Sequence, residues 1–478
     1  MRLKKGCLIA IVVFIAFVIS FFFICGEQLH YRNSVTDMLS PFSTVGEITS
    51  DTVIEQRLKP EGDMLTGLTL MSATFNRENT GSLVLEILNG NQILDSAVVE
   101  ISGMADNTKL YVPMMLPLAD AKSLTLRITA PKSEPGNAVT LYYGNSMSAG
   151  RAQVKAELAQ DELLQVNGSP LPGALCCSLH TRTSLLFGTY YWYIAVAGLL
   201  VVISYCALLI RRNTKGKSSW PLKLIAAFSR YRFLIKQLVA RDFKTKYKRS
   251  VLGVLWSFLN PLLTMMVQYI VFSTLFRSDI PNFALYLLSG IVCFSFFSES
   301  TSMALSSIVG NASLITKVYV PKYIYPLTRV MSSLINLLLS LIPLFAVVLL
   351  TRTPLRISFL LLPIGIICLF MFCLGTGLIL ASAMVFFRDI QFLWGILTML
   401  WMYATPIFYP ESILPAKLMP IFKCNPLYHI IRFVRVVLMD GVSPEPKAYM
   451  LMLIASVVPL ALGLWIFKKT QDKFVLYL

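Results

Sequence analysis

Two patterns of apolar and polar positions divide the chain. Long unbroken apolar runs fall at about Cys7–Cys25 and Leu185–Ile210, and then at about 251–276, 283–308, 324–350, 358–385, 391–409 and 448–467. A helix needs about 20 apolar residues to cross a bilayer, so these runs predict about eight spans. Between the first two runs the pattern changes. LTGLTLMSATF, GSLVLEILNG, ILDSAVVEIS, TKLYVPMML, SLTLRITA and AVTLYYG are short alternating or β-branched stretches, separated by turn clusters such as Asn89-Gly90-Asn91 and Pro135-Gly136-Asn137. That rhythm predicts an antiparallel sandwich. Ala152–Leu164 reads as a helical insertion or an extended excursion. The fold class is thus a polytopic α-helical membrane protein with an all-β sandwich, jelly-roll-like domain.

The domain order follows. A transmembrane anchor occupies 1–25, the sandwich 26–186, a second transmembrane helix 187–210, a basic linker 211–228, an amphipathic interface helix 229–250 and a six-span domain 251–478. The first run is long, its exit FFFICGEQ lacks a small-x-small pattern, and Ile24 is not the small residue a lipid-modified Cys25 would need. An uncleaved span is expected there. Segment 406–442 carries Pro406, Pro410, Pro415, Pro420 and Pro426 among apolar residues. This predicts short re-entrant helices, whose backbone must be satisfied by protein or water.

Composition agrees with a membrane protein: hydrophobic residues make up 56% and charged residues 14%. The net charge of +17 is uneven. Residues 26–186 carry 11 Lys/Arg and 17 Asp/Glu, a balance of −6, which leaves +23 elsewhere. The basic residues flank apolar spans, so they mark cytoplasmic faces rather than a nucleic-acid surface. RRNTKGK after the second span and KKTQDK near the C-terminus place both termini inside and 26–186 outside the cytoplasmic membrane. Arg352, Arg356, Lys423, Arg432 and Arg435 fall outside on this scheme, so the orientation rests on the 211–249 charge block. There, Ser229–Arg249 holds eight Lys/Arg against Asp242 alone. Tyr231, Leu234, Ile235 and Leu238 recur at helical spacing. Such a helix lies in the headgroup layer with its basic side chains on anionic lipid, or is a solvated positive flank.

No enzyme chemistry stands out. The nine cysteines and three histidines show no metal-ligand spacing, and no disulfide framework is expected. Gly216-Lys217-Ser218 resembles the tail of a phosphate loop, but Arg211 stands where its first glycine belongs. Asn167-Gly168-Ser169 fits a glycosylation acceptor, a motif frequent by chance.

From about Arg230 to the C-terminus, several long motifs occur in a fixed order. They are LVARDFKTKYKRSVLGVLWSFLNPLL, LLSGIVCFSFFSES, NASLITKVYVPKYIYPL, FFRDIQFLWGILTMLWMYATPIFYP and CNPLYHIIRFVR. This region resembles the membrane subunit of ABC-2 type polysaccharide exporters, which move O-antigen, teichoic acid or capsular glycans. Residues 1–215 depart from that six-span pattern. The resemblance implies two permease copies, or two related chains, enclosing a pathway, with two nucleotide-binding ABC subunits beneath them. ATP and Mg would be held by those partners, with no cofactor on this chain. The loop Asn311–Pro321 would couple permease to partner, with Asn311, Lys317, Val318, Pro321, Lys322, Arg388 and Asp389 as candidates; an ordinary basic inner loop and a local ion pair are the alternatives. Arg241, Lys244, Lys246 and Arg249 are candidates for the phosphates of a lipid-linked glycan. Pathway and outer-gate candidates are Glu299, Trp401, Tyr403, Phe408, Tyr409, Asn425 and Pro426, with Trp394 nearby. Glu299 either meets substrate hydroxyls or locks helices through Ser298, Ser300 and Thr301. The aromatics either line a glycan passage or anchor the interface.

The function expected is a bacterial cytoplasmic-membrane exporter subunit for a lipid-linked surface polysaccharide, with an external domain that binds the glycan or caps the protein. An ABC-2 exporter of a drug, lipid or peptide, and a non-transporting glycan-assembly protein, are the alternatives.

Overall fold

The computed structural model describes residues 2–36, 38–118, 124–144, 163–215, 220–247, 253–276, 282–317, 320–411, 415 and 417–477. Most of the Ala152–Leu164 excursion, the Gly216-Lys217-Ser218 triplet, Arg249 and Val318 lie outside the described residues. The chain forms two compact units, Leu29–Tyr190 and Met1–Gln28 with Tyr191–Leu478. Helix α1 spans Arg2–Cys25 and belongs to the second.

Among its described residues the first unit is mostly β. Its strands are β1 (Tyr31–Val35), β2 (Ser43–Thr44), β3 (Ile54–Leu58), β4 (Met64–Ala73), β5 (Ser82–Asn89), β6 (Gln92–Glu100), β7 (Thr108–Pro117), β8 (Leu124–Thr129), β9 (Thr140–Gly144), β10 (Gln165–Val166), β11 (Ser169–Pro170), β12 (Ala174–Leu175) and β13 (Cys177–Ser184). One sheet runs β1-β13-β4-β9-β12, with β7 on β4 and β2 on β9. The other runs β11-β10-β3-β8-β5-β6. All pairings between described strands are antiparallel. Alternation explains the core. Leu124, Leu126 and Ile128 are buried while Thr125, Arg127 and Thr129 are only half-buried. The buried set meets Leu83, Leu85 and Ile87 of the same sheet and Leu65, Leu68, Val112 and Leu141 of the facing one. Arg127 donates to Glu55 at 2.8 Å, tying β8 to β3. A short helix, α2 (Leu186–Thr189), closes the unit.

The second unit is helical. After α3 (Tyr191–Thr214) come α4 (Trp220–Tyr247), α5 (Trp256–Phe276), α6 (Phe283–Leu305), α7 (Ala312–Lys317), α8 (Ile324–Leu350), α9 (Leu362–Phe386), α10 (Ile390–Tyr403), α11 (Met419–Lys423), α12 (Pro426–Arg435), α13 (Pro446–Thr470) and α14 (Phe474–Tyr477). Among the described residues six helices are long and apolar enough to cross a membrane: α1, α3, α6, α8, α9 and α13, some with flanking turns. Helix α5 has 21 residues, about 31 Å at 1.5 Å per residue. The span expected at 391–409 is corrected: α10 has 14 residues, about 21 Å at 1.5 Å per residue. It ends at Tyr403 because Pro406 and Pro410 interrupt the backbone that follows.

Helix α6 is the centre of this unit. The apolar stretch of α6 is 78% buried, whereas α1 buries only Cys7 and Cys25 among its described residues. Helix α6 packs on α8, α9, α5 and α12 through Phe294, Phe297, Leu287 and Val292. Helices α9 and α13 approach closest where Gly375 and Gly463 face each other. A side chain at either would run into the other helix's backbone. Helix α1 is fastened at its far end: Cys25 Sγ accepts from Ser443 Oγ at 3.0 Å, and Phe21 packs edge-on to Tyr449 at 5.2 Å. Tyr191 of α3 donates to the Val18 carbonyl at 2.7 Å. The chain therefore leaves the helical unit beside Ser443 and Tyr449.

Candidate functional site

The basic helix begins at Trp220 rather than at 229, and α3 runs on to Thr214, so little of the expected 211–228 linker remains. Part of its greasy face packs on the protein itself. Ile235 and Leu238 are buried against Ile324 at the start of α8, with Tyr231, Leu234, Tyr323 and Met331 around them.

Two acids hold the end of this helix. Asp242 is buried; Arg241 donates to its Oδ1 at 3.0 Å, and Arg329 of α8 lies 3.2 Å from its Oδ2. Arg241 also reaches Asn311 Oδ1 at 3.5 Å, and Asn311 donates to the Ser307 carbonyl at 2.7 Å. One turn on, Lys246 donates to Glu299 Oε1 at 2.8 Å, and Asn336 of α8 donates to the same oxygen at 2.7 Å. Glu299 therefore stands with Lys246 and Asn336, far along α6 from Tyr286, which meets the 406–409 segment. Ser300 and Thr301 donate to backbone carbonyls one turn back, Ser300 also meets Cys373, and Thr301 accepts from Trp394 at 3.3 Å.

Arg241 and Lys246 thus spend their charge on the chain itself. Lys244 does not. With Arg232 and Lys236 it rims an open groove of about 520 Å³ between α4 and α8, floored by Ile235, Val239, Phe243, Met331 and Ile335. No acid among the described residues pairs with these three cations. A cation-rimmed apolar groove takes an amphiphile with an anionic head.

Most of the other inner candidates gather at the same end. Asn311 meets Arg241, and Lys322 donates to the Gln471 carbonyl at 2.6 Å. Ile315, Tyr325, Val385, Phe467 and Phe474 form one apolar cluster beneath them. Lys317 is exposed, and Pro321 precedes α8. Arg388 and Asp389 sit exposed at the α9–α10 turn, next to Phe386, which packs on Phe474 and Tyr477.

The opposite end is built around the break after α10. Trp401 donates to Asn425 Oδ1 at 2.9 Å, and Asn425 donates to Thr405 at 2.8 Å. Asn425 also caps α12 by accepting from the Leu427 amide, with Pro426 in the first turn. Phe408 is buried and stacks on Phe272 at 5.2 Å. Trp394 and Trp401 pack with Phe297 in the core. Within one chain these rings are packing rather than an open lining; Tyr403 is exposed, and Tyr409 donates to its carbonyl at 2.7 Å. Sequence reasoning missed the residue that holds the break. Buried Arg435 donates to the Pro406 carbonyl at 2.6 Å, to Ile407 at 3.1 Å and to Tyr286 at 3.3 Å. Its guanidinium lies 3.4 Å from the Tyr286 ring centroid. The signal was an arginine inside the apolar run of CNPLYHIIRFVRVV.

The family described as ABC-2 type transporter matches residues 233–439. An O-antigen export system permease protein RfbA of Klebsiella pneumoniae is 32% identical over 242 residues, covering 50% of this chain and 93% of the relative. Its namesake in Myxococcus xanthus is 32% identical over 257 residues, 53% of this chain and 98% of the relative. The polysialic acid transport protein KpsM of Escherichia coli is 22% identical over 250 residues, 52% of this chain and 97% of the relative. With its apolar spans and a matched region that carries both ends of the site just described, this chain belongs to the ABC-2 type transporter family, as a multi-pass membrane permease and not an enzyme.

Proposed function

We propose that this chain is the permease subunit of an ATP-driven exporter that moves a lipid-linked surface polysaccharide across the bacterial cytoplasmic membrane. The carrying observation is that relatives named for O-antigen export are matched over nearly their whole length. Both termini lie in the cytoplasm in this reading, and residues 26–186 lie outside. In its support, α1 ends beside Ser443 and Tyr449, at the opposite end of the helical unit from Asn311 and Arg241. Two copies of the permease enclose the pathway. A separate nucleotide-binding subunit, holding ATP and Mg, docks against Lys317, Lys322, Arg388 and Asp389.

The α4–α8 groove is the entrance for the lipid carrier. Lys244, Lys236 and Arg232 meet its phosphates, and the apolar floor takes the first part of the chain. Arg241 and Lys246 fix the helix in place through Asp242 and Glu299. The emerging glycan is received by the external β unit.

The test is genetic and chemical. Loss of the gene should remove surface polysaccharide and accumulate its lipid-linked form inside. Lys236→Glu with Lys244→Glu should do the same while the protein still co-purifies with its ATPase partner. Normal surface polysaccharide in the deletion strain overturns the exporter reading. Normal export by the double variant overturns the groove as entrance.

A further inference from the structure

The outer face of the seven-stranded sheet carries an aromatic platform. Strand residues two apart share a face, and pairing brings four strands together there. Val35 of β1 stands opposite His180 of β13, which stands opposite Gly67 of β4. Gly67 is flanked by Tyr111 of β7, whose ring crosses it: a Cβ on Gly67 would lie 2.7 Å from the ring. The absence of a side chain at Gly67 is what lets this tyrosine lie across the strand. His180 meets the Tyr111 ring at 5.0 Å with planes at 76°. Its Nε2 and Thr69 Oγ1 are 2.7 Å apart, and the Tyr111 hydroxyl donates to the Thr66 carbonyl at 3.3 Å. Two residues along β13, Arg182 lies 4.9 Å from the Tyr31 ring centroid and donates to Asn33 at 3.2 Å. Tyr111 is 52% exposed and Tyr31 41%.

We propose that this face, centred on Tyr111 and His180 with Tyr31, Asn33 and Arg182, binds a stretch of glycan chain. The inference rests on the exporter reading and gives its external unit a site. Sugar rings present an apolar C–H face and a rim of hydroxyls. The platform offers exposed rings for the first, and imidazole, hydroxyl, amide and guanidinium groups for the second. Four strands at about 4.8 Å spacing span about 14 Å between outer strands, room for a short run of linked sugars. A protein partner would call for a wider continuous apolar patch than rings interleaved with polar groups provide. Nucleic acid is disfavoured by the −6 balance of residues 26–186, from 11 basic and 17 acidic side chains.

The experiment uses the full chain in lipid nanodiscs. The probe is surface polysaccharide from the producing strain, freed of its lipid by mild acid and titrated calorimetrically, with dextran as control. The parent should bind the probe and not dextran. Tyr111→Ala should weaken binding by about tenfold, the scale of one aromatic contact. Tyr111→Phe should stay within about twofold, since the platform survives. Arg182→Gln, away from the buried core, should give a smaller loss. Gly67→Val, which displaces the ring, should behave as Tyr111→Ala. Parent-like binding by Tyr111→Ala and Gly67→Val overturns the platform. No binding by a parent protein that exports the polysaccharide in cells also overturns it, and leaves the exporter reading standing. A deletion strain with normal surface polysaccharide fails that reading instead.

Discussion

Replacing Arg435 by Met tests how the break after α10 is held. Methionine roughly keeps the volume and removes the fork of donors. The guanidinium makes hydrogen bonds to the carbonyls of Pro406, Ile407 and Tyr286. Each bond from a charged group is worth about 1.5–3 kcal/mol, so the gross loss is about 5–9 kcal/mol, with about 2 more from the ring contact. Desolvating the guanidinium offsets several kcal/mol of this. The Pro406 carbonyl also keeps a bond from the Tyr286 hydroxyl at 3.2 Å. The net cost is about 2–4 kcal/mol. For a unit this large that lowers the melting temperature by about 4–8 °C. Thermal unfolding in nanodiscs reads the first number. Amide exchange over 404–411 reads the local loosening, which should rise before global unfolding. Arg435→Lys, with charge but no fork, should fall between. A Met variant that melts within about 1 °C of the parent, with unchanged exchange at 404–411, would refute this account of the break.

Two further outcomes follow from the geometry. Lys246 and Glu299 should couple by about 1 kcal/mol in a double-mutant cycle on stability, because the pair is partly exposed; Lys246→Glu with Glu299→Lys should recover export that either single variant loses, and additive effects would contradict the pair. In the β unit, the Asp63 carboxyl is held below its ordinary 3.8 by the Ser184 hydroxyl and amide, and Glu47 below its ordinary 4.5 by the Gly136 amide and Arg77. A depressed folded value adds stability that is present above the ordinary value and lost as pH falls through the folded one. Acid unfolding of the parent should therefore fall in that range, and Asp63→Asn should blunt its pH slope; an unchanged slope would contradict the Ser184 contact.

How much was legible depended on the physical signal. Strands β4 to β9 were read almost to the residue, because they carry apolar side chains toward the core, fully buried in most and only partly in β6 through Leu94, Ala97 and Val99. Strand β1 was missed because YRNSV is exposed throughout and has no inward face to mark it. Strand β13 was missed because CSLHTRTS buries Ser178 and Thr181 and only one large apolar side chain, Leu179. Apolar run length found the spans but overran α10, since Ile407 and Phe408 continue the apolar pattern after the helix has ended. At the site, charge density located the basic helix. It did not reveal which cations are taken up by acids, because Asp242 and Glu299 meet Arg329 and Asn336 from a helix distant in sequence. Arg435 was hidden for the same reason: its partners are carbonyls, which no side-chain pattern announces.

Transport in a defined system tests the central claim most directly. The chain and its ATPase partner are reconstituted in proteoliposomes with the strain's lipid-linked polysaccharide, and glycan crossing the membrane is measured with and without ATP. The account predicts ATP-dependent transfer that needs both subunits and is lost with Lys236→Glu and Lys244→Glu. Transfer that proceeds without this chain, or that ignores the charge of the α4 groove, would contradict it.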